Sequence, residues 1–200
     1  MNQKARVVEY LKGYGFTEEE SMEIASAFHM KKVKKKEVII DIEESIDKVF
    51  LVVSGIARGV YFDVDGREFT KCFAAEGMWC GVYNYIKRTP YEFRIEAIED
   101  MVLAAISVKD LETMFRRIKR CEQIFNQLCM EAFIKEEQRS YQLLMLDAEE
   151  RYKMFVEAFP SMAERLKQEY IASYIGVTPS SLSRVLRRKS DLLSYDNEIN

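Results

Sequence analysis

Apolar residues recur with two different periods along the chain. From Val7 to Phe28 the spacing is three and four, the period of a helix. Thr17 with Glu20 forms a capping box there, and Met22, Ile24, Ala25 and Phe28 continue the apolar face. From Glu37 to about Val108 the period drops to two. Val38–Ile42, Lys48–Ser54, Ile56–Phe62, Arg67–Phe73, Tyr91–Ile98 and Met101–Ile106 are the strands this predicts. Asp63-Val-Asp-Gly66 joins two of them as a hairpin turn, since Asp-Gly is favoured where both central φ angles are positive. Short, regular strands in one block predict a barrel or sandwich. Lys31-Lys-Val-Lys-Lys-Lys36 ahead of them reads as a solvated approach to the first strand, although such a run also fits DNA or membrane contact.

After Ser107, which caps a helix over Val108–Phe115, the helical period returns. A long segment from Ile118 to Leu146 places Ile118, Cys121, Phe125, Leu128 and Ala132, and later Ser140, Leu143 and Leu146, close to a heptad seam. Glu136 and Arg139 interrupt it. The seam predicts a dimerisation helix paired with a second copy of the chain. The other reading is that this helix packs only on its own barrel. Asp147-Ala-Glu-Glu150 breaks the pattern, Arg151–Phe159 resumes it, and Pro160-Ser161 starts a further helix.

The next stretch carries the chemistry. Gln168–Arg188 reads as two short helices around a tight turn. Ile171, Tyr174 and Ile175 form one apolar face, and Leu182, Val185 and Leu186 the other. Gly176 suits the left-handed position after the first helix. Thr178 is a good N-cap for the second, with Pro179 at its first position. Ala172 provides the small side chain needed where the helices cross. This is the layout of a helix-turn-helix, whose second helix enters the major groove. Ser180, Ser181, Ser183 and Arg184 lie opposite its apolar face, with Arg187, Arg188 and Lys189 following. Lys167 and Thr178 join them as candidate DNA contacts, since hydroxyls, Arg and Lys reach bases and phosphates.

Charge agrees. Arg165–Lys189 holds six basic residues against Glu169 alone, a net of +5 in a 200-residue chain whose total is −3. A basic patch on an acidic protein is an electrostatic footprint for nucleic acid. The other reading is a helical hairpin that only packs, with a solvated basic face. The chain is 48% hydrophobic, enough for a sizeable core, without the long apolar run of a membrane span. A start without a signal peptide's apolar core makes the cytoplasm the expected location. Cys72, Cys80, Cys121 and Cys129 form no C-x-x-C pair and read as reduced core thiols. A single histidine, His29, argues against a metal-dependent enzyme on the barrel. No catalytic constellation and no metal site is expected.

A leading helix, a β-roll, a long helix and a helix-turn-helix, in that order, resemble the Crp/Fnr family of bacterial transcription regulators over nearly the whole chain. Tyr170–Arg184 looks like the family's IAxxLGxTxxxLSR signature. Lys48–Arg58, with its G-x-x-R, followed by the D-x-D-G hairpin ending at Asp65-Gly66, looks like the family's β-roll pattern. Arg151-Tyr152 is similar to the lead-in before the DNA-binding unit. The implied architecture is α+β: a jelly-roll-like β-roll sensor domain over 1–117, a dimerisation helix over 118–146 and a helix-turn-helix domain over 147–200.

The resemblance implies a non-enzymatic homodimer on a palindromic double-stranded DNA site, with RNA polymerase as a further partner and an effector pocket between roll and long helix. The pocket departs from the cyclic-nucleotide binders. Met78 stands where a glutamate would bind the ribose, and Tyr91-Glu92 where an arginine would hold the phosphate. A phosphate facing a carboxylate loses its charge-assisted partner, so cyclic AMP is not the expected ligand. No cysteine cluster precedes Cys72, and His29 falls in the leading helix, so neither an iron–sulfur cluster nor haem is expected. No cofactor is predicted. Trp79, Tyr83, Tyr85 and Tyr91, with Arg94, line the expected pocket. They hold an unidentified small-molecule effector or fill the space themselves. The alternative function is a small-molecule sensor whose helix-turn-helix is vestigial.

Overall fold

The computed structural model describes residues 2–45 and 47–187. The leading helical segment is two helices, α1 (Gln3–Gly13) and α2 (Glu18–Ser26). Between them Gly15 takes φ +100°, and Thr17 and Glu20 close the expected capping box. His29 does not belong to a helix; it opens a strand, β1 (His29–Val33), that the lysine run concealed. The strands β2 (Val38–Ile40), β3 (Lys48–Ser54), β4 (Ala57–Phe62) and β5 (Glu68–Ala74) follow. Then come β6 (Trp79–Cys80), α3 (Val82–Lys87), β7 (Arg94–Ala97) and β8 (Met101–Ser107).

Two antiparallel sheets result, ordered β1-β8-β3-β6 and β2-β7-β4-β5. Between them lies a core that includes Phe50, Val52, Tyr91, Phe93, Ile95, Ala97 and Leu103. The opposite faces of β3 and β8 present Val49, Leu51, Val53, Ala104 and Ile106 to α1, α2 and the helices after the roll. With both faces covered, β3 and β8 read as unbroken apolar runs instead of alternating ones.

Ser107 caps α4 (Val108–Arg117), which leads into α5 (Lys119–Met145), 27 residues long. At about 1.5 Å per residue it spans roughly 40 Å. The first half of the expected dimer seam faces inward instead, while Ser140 and Leu143 of its second half are exposed. Ile118 and Cys121 are buried in the core beneath the first sheet, and Phe125 packs on the rings of Tyr85 and Phe115. Leu128 is half-buried, and only Ala132 of the five is exposed. The polar interruptions continue the same face: Glu136 pairs with Lys71 of β5, and Arg139 donates to the Thr70 carbonyl. Burial of a seam by its own chain satisfies the same apolar pattern that a partner helix would.

The chain then forms α6 (Ala148–Ala158), α7 (Pro160–Arg165), α8 (Gln168–Tyr174) and α9 (residues 179–187). Asp147 and Glu150 close a second capping box at the start of α6. Phe155, Met162, Leu166, Ile171, Ile175 and Leu182 make a third core, which also takes in Ile56, Ala75 and Ile98 of the roll. No described helix is long and apolar enough to cross a membrane.

Candidate DNA-binding surface and sensor site

The turn between α8 and α9 is built by backbone chemistry that the sequence announces. Gly176 sits at φ +73° just past the cap of α8. The Val177 N–H reaches the Ala172 carbonyl at 3.0 Å and the Gly176 N–H reaches Ser173 at 3.4 Å, the paired bonds of a Schellman motif. A Cβ at Gly176 would also stand 3.1 Å from Leu143 of α5. Thr178 then caps α9, its hydroxyl accepting from the Ser181 N–H at 3.2 Å. Ala172 and Leu182 are fully buried where the two helices cross.

The outward side of α9 carries polar groups. Ser180, Arg184 and Arg187 are exposed, and Ser181 and Ser183 are half-buried. The Thr178 hydroxyl lies 2.9 Å from those of both Ser180 and Ser181, so it organises the helix start. The Arg184 Nε donates to the Ser180 carbonyl at 3.4 Å, laying the side chain along its own helix. Lys167 stands at the start of α8, its ammonium 3.1 Å from Glu169. Arg188 and Lys189 lie outside the described residues.

Helix α8 is not a free lobe, because it docks on the second sheet of the roll. The Ser173 hydroxyl accepts from the Thr70 N–H at 2.9 Å, and the Tyr174 ring packs 5.5 Å from Phe73. The guanidinium of buried Arg58 lies 4.6 Å over the Tyr170 ring. Arg165 forks onto Glu76 at 2.9 and 3.0 Å and also binds Glu99. Burial works to raise the Glu76 pKa, but hydrogen bonds from Arg165 and the Gly55 N–H outweigh it and hold it below its ordinary 4.5. A depressed carboxyl stabilises the fold above its unfolded pKa and loses that contribution as pH falls through the folded value. Glu76→Gln is therefore expected to lower the urea midpoint at pH 7, with the gap to wild type closing as pH falls below about 4.5. A gap of constant size from pH 7 to pH 3 would exclude this linkage.

The expected sensor residues do not converge. Trp79 packs against Phe28 on the outer side of the roll, 5.9 Å between centroids. Tyr85 also faces outward, onto Phe125. Arg94 pairs with Asp41 at 3.0 Å and covers the Phe62 ring. Tyr83 and Tyr91 share one neighbour, each ring lying 6.3 Å from Phe93. The Tyr91 hydroxyl reaches the Gly81 carbonyl at 3.5 Å, and burial foremost raises its pKa, so it stays a neutral donor. Gly81, at φ +87°, has no room for a Cβ, which would stand 2.6 Å from that hydroxyl.

Two residues of this corner went unrecognised in the sequence. Phe93 continues the inward parity of Tyr91, Ile95 and Ala97, so alternation could have found it. Lys71 had no signal; its ammonium lies 5.2 and 5.4 Å from the Phe93 and Tyr83 rings and pairs with Glu136 of α5 at 3.8 Å. Met78 packs between the inner core of the roll and the helices that follow it. The Cys80 thiol is pushed up to about 12 and the Cys121 thiol to about 11, both chiefly by burial, so neither is a ready thiolate.

Residues 30–118 match the family model of the cyclic nucleotide-binding domain. FixK2 from Bradyrhizobium japonicum superposes with a TM-score of 0.71 at 22% identity, over 82% of this chain and 85% of that one. A mutant of CooA from Carboxydothermus hydrogenoformans gives 0.72 at 17% identity, over 93% and 84%. The catabolite activator protein of Thermus thermophilus gives 0.55 at 20%, over 88% and 85%. The chain has the Crp/Fnr fold. No curated protein matches the sequence significantly. Within the Crp/Fnr fold, the roll and long helix of this chain meet through Lys71 and Glu136, and the corner beside them is occupied by Tyr91, Phe93 and Tyr83.

Proposed function

We propose that the chain is a sequence-specific DNA-binding transcription regulator of the Crp/Fnr type, acting as a homodimer and not responding to cyclic AMP. The observation that carries the reading is the turn at Ile175–Thr178. A Schellman cap, an N-capping threonine and a fully buried Ala172–Leu182 crossing fix two short helices, and the second turns Ser180, Arg184 and Arg187 outward. A vestigial motif has no reason to keep an exposed basic face over so well specified a turn. The alternative, a small-molecule sensor, has less support, because aromatic side chains already occupy the corner between roll and long helix. RNA polymerase remains a partner implied by the fold family alone.

The proposed dimer uses a face of α5 other than the predicted seam. Met130, Phe133, Ile134, Tyr141, Leu144 and Met145 fall on one helical face, with Phe133 and Ile134 three and four residues after Met130 and Leu144 and Met145 three and four after Tyr141, and all are exposed in the single chain. A stripe of this length on an exposed helix marks a partner surface, and a second α5 related by a two-fold axis matches it. The dimer would then set two α9 helices on half-sites about 34–36 Å apart.

Selection from a random duplex pool tests the reading. A two-fold symmetric consensus is expected from the wild-type chain. Arg184→Ala is expected to weaken binding to it roughly tenfold to a hundredfold, about 1–3 kcal/mol, and to relax one base position in each half-site. Absence of any enriched sequence at low salt would favour the vestigial alternative.

A further inference from the structure

We propose that Lys71 is a built-in ligand of the corner between roll and long helix, and that the chain therefore binds DNA without a small-molecule effector. This inference rests on the DNA-binding reading above. The backbone aims the side chain. In the β4–β5 ladder Gly59 faces Cys72 while Val60 faces Thr70, so β5 carries one residue more than β4, and Lys71 is the extra one. A bulge of this kind re-aims a side chain. Thr70 keeps its hydroxyl on the outer side, against Arg58, while Lys71 and Cys72 both turn toward Phe93. Gly59 makes the room: a Cβ there would stand 2.8 Å from the Cys72 Sγ and 3.3 Å from the Phe93 ring.

The ammonium finds the surroundings that an amine ligand would need. It lies 5.2 Å from the Phe93 ring and 5.4 Å from the Tyr83 ring, whose faces attract a cation. Tyr61 packs edge-on against Phe93 at 5.6 Å and completes the group. Glu136 of α5 supplies the countercharge at 3.8 Å. The lysine side chain is 16% exposed and the glutamate 60%, so water screens the ion pair and the rings do more of the holding. Because this amine is tethered to β5, its occupancy does not depend on the concentration of a free molecule. The contact also reaches the reading head. One helical turn after Glu136, Arg139 donates to the carbonyl of Thr70, the neighbour of Lys71, and its guanidinium lies 3.9 Å over the Tyr174 ring of α8. Filling the corner thus fixes the part of α5 on which the helix-turn-helix rests.

The test unfolds the full chain in urea, dialyses it, refolds it and titrates it against the duplex selected by the wild-type chain. Refolded wild type is expected to bind as tightly as untreated protein, and millimolar n-butylammonium to leave it unchanged. Lys71→Ala opens the space between the rings and Glu136. It is expected to weaken binding about tenfold, and n-butylammonium should restore most of the loss where sodium chloride of equal ionic strength does not. Glu136→Gln changes the exposed end of the pair and leaves the roll intact. It is expected to keep the urea midpoint and still to weaken DNA binding, although removing a negative charge would by itself strengthen it. The proposal is overturned if refolded wild type binds only after the dialysate is returned. It is also overturned if Lys71→Ala, with its urea midpoint intact, binds like wild type or gains nothing from the amine. Should Lys71→Ala lower the midpoint, Glu136→Gln decides alone, and unchanged DNA binding there overturns the proposal. Wild type that binds no duplex before or after refolding removes the DNA-binding reading and the proposal together, whereas each of the other failures removes the proposal alone.

Discussion

Phe133→Glu is expected to turn the proposed dimer into a monomer and to weaken binding to the selected two-fold site at least a hundredfold. In the single chain Phe133 is 60% exposed, so the substitution removes little from the subunit's own core. Surface changes of this kind cost within about 0.5 kcal/mol. In a two-fold seam, however, the new carboxylate would be buried near its own symmetry mate, without a cation to pair it. The loss in DNA affinity follows from linkage: two tethered reading heads exceed a single one by about 10²–10⁴ through effective concentration. Sedimentation measures the first effect and a binding titration the second. A variant that still sediments as a dimer would move the interface elsewhere. Cys121→Ser, on the inward face, is expected to leave the proposed dimer intact, because Cys121 is buried within its own chain.

That contrast shows where the sequence was legible and where it was not. Local chemistry was readable. The Thr17 capping box, the hairpin ending at Gly66, the cap at Ser107 and the turn at Gly176 each involve residues a few positions apart, and each formed, although in the hairpin only Gly66, and not Asp65, takes the positive φ expected of both. The face a helix presents depends on residues far away. The apolar seam of α5 is real, but its first half closes over the outer side of the roll, and Glu136 and Arg139 find Lys71 and Thr70 more than 60 positions earlier. Apolar period alone does not distinguish a partner's surface from one's own. The same limit applied to the sensor corner. Trp79 and Tyr91 lie in one aromatic-rich stretch, yet β6 sends Trp79 outward toward Phe28 while Tyr91 enters the core between the sheets. Lys31–Lys36 masked β1 for a related reason: an edge strand needs few apolar residues, and charged side chains protect its open side.

Arg58→Met is expected to cost about 2–4 kcal/mol of stability and to loosen the helix-turn-helix from the roll. Arg58 is the most deeply buried cation in the docking surface, with 3% of its side chain exposed. Its Nε donates to the Thr70 hydroxyl at 2.8 Å, and Nη1 reaches Glu68 at 2.7 Å and Glu96 at 3.2 Å. Methionine fills similar space but leaves two carboxylates without their shared cation. Removing one partner of a fully buried pair costs about 3–5 kcal/mol; the half-exposed Glu68 turns to water and moderates the loss. Adding Glu96→Gln should recover part of it, since the less exposed of the two carboxylates is then gone. Arg58→Lys should fall between wild type and Met, because an ammonium cannot reproduce the guanidinium fork or lie flat on Tyr170. Thr70 links the two effects: its hydroxyl meets Arg58 while its N–H meets Ser173 of α8. A falling urea midpoint should therefore be accompanied by faster proteolysis between α5 and α8. An unchanged midpoint with unchanged proteolysis would show that the hydrophobic contacts of Phe73, Phe155 and Tyr174 hold the two parts together without it.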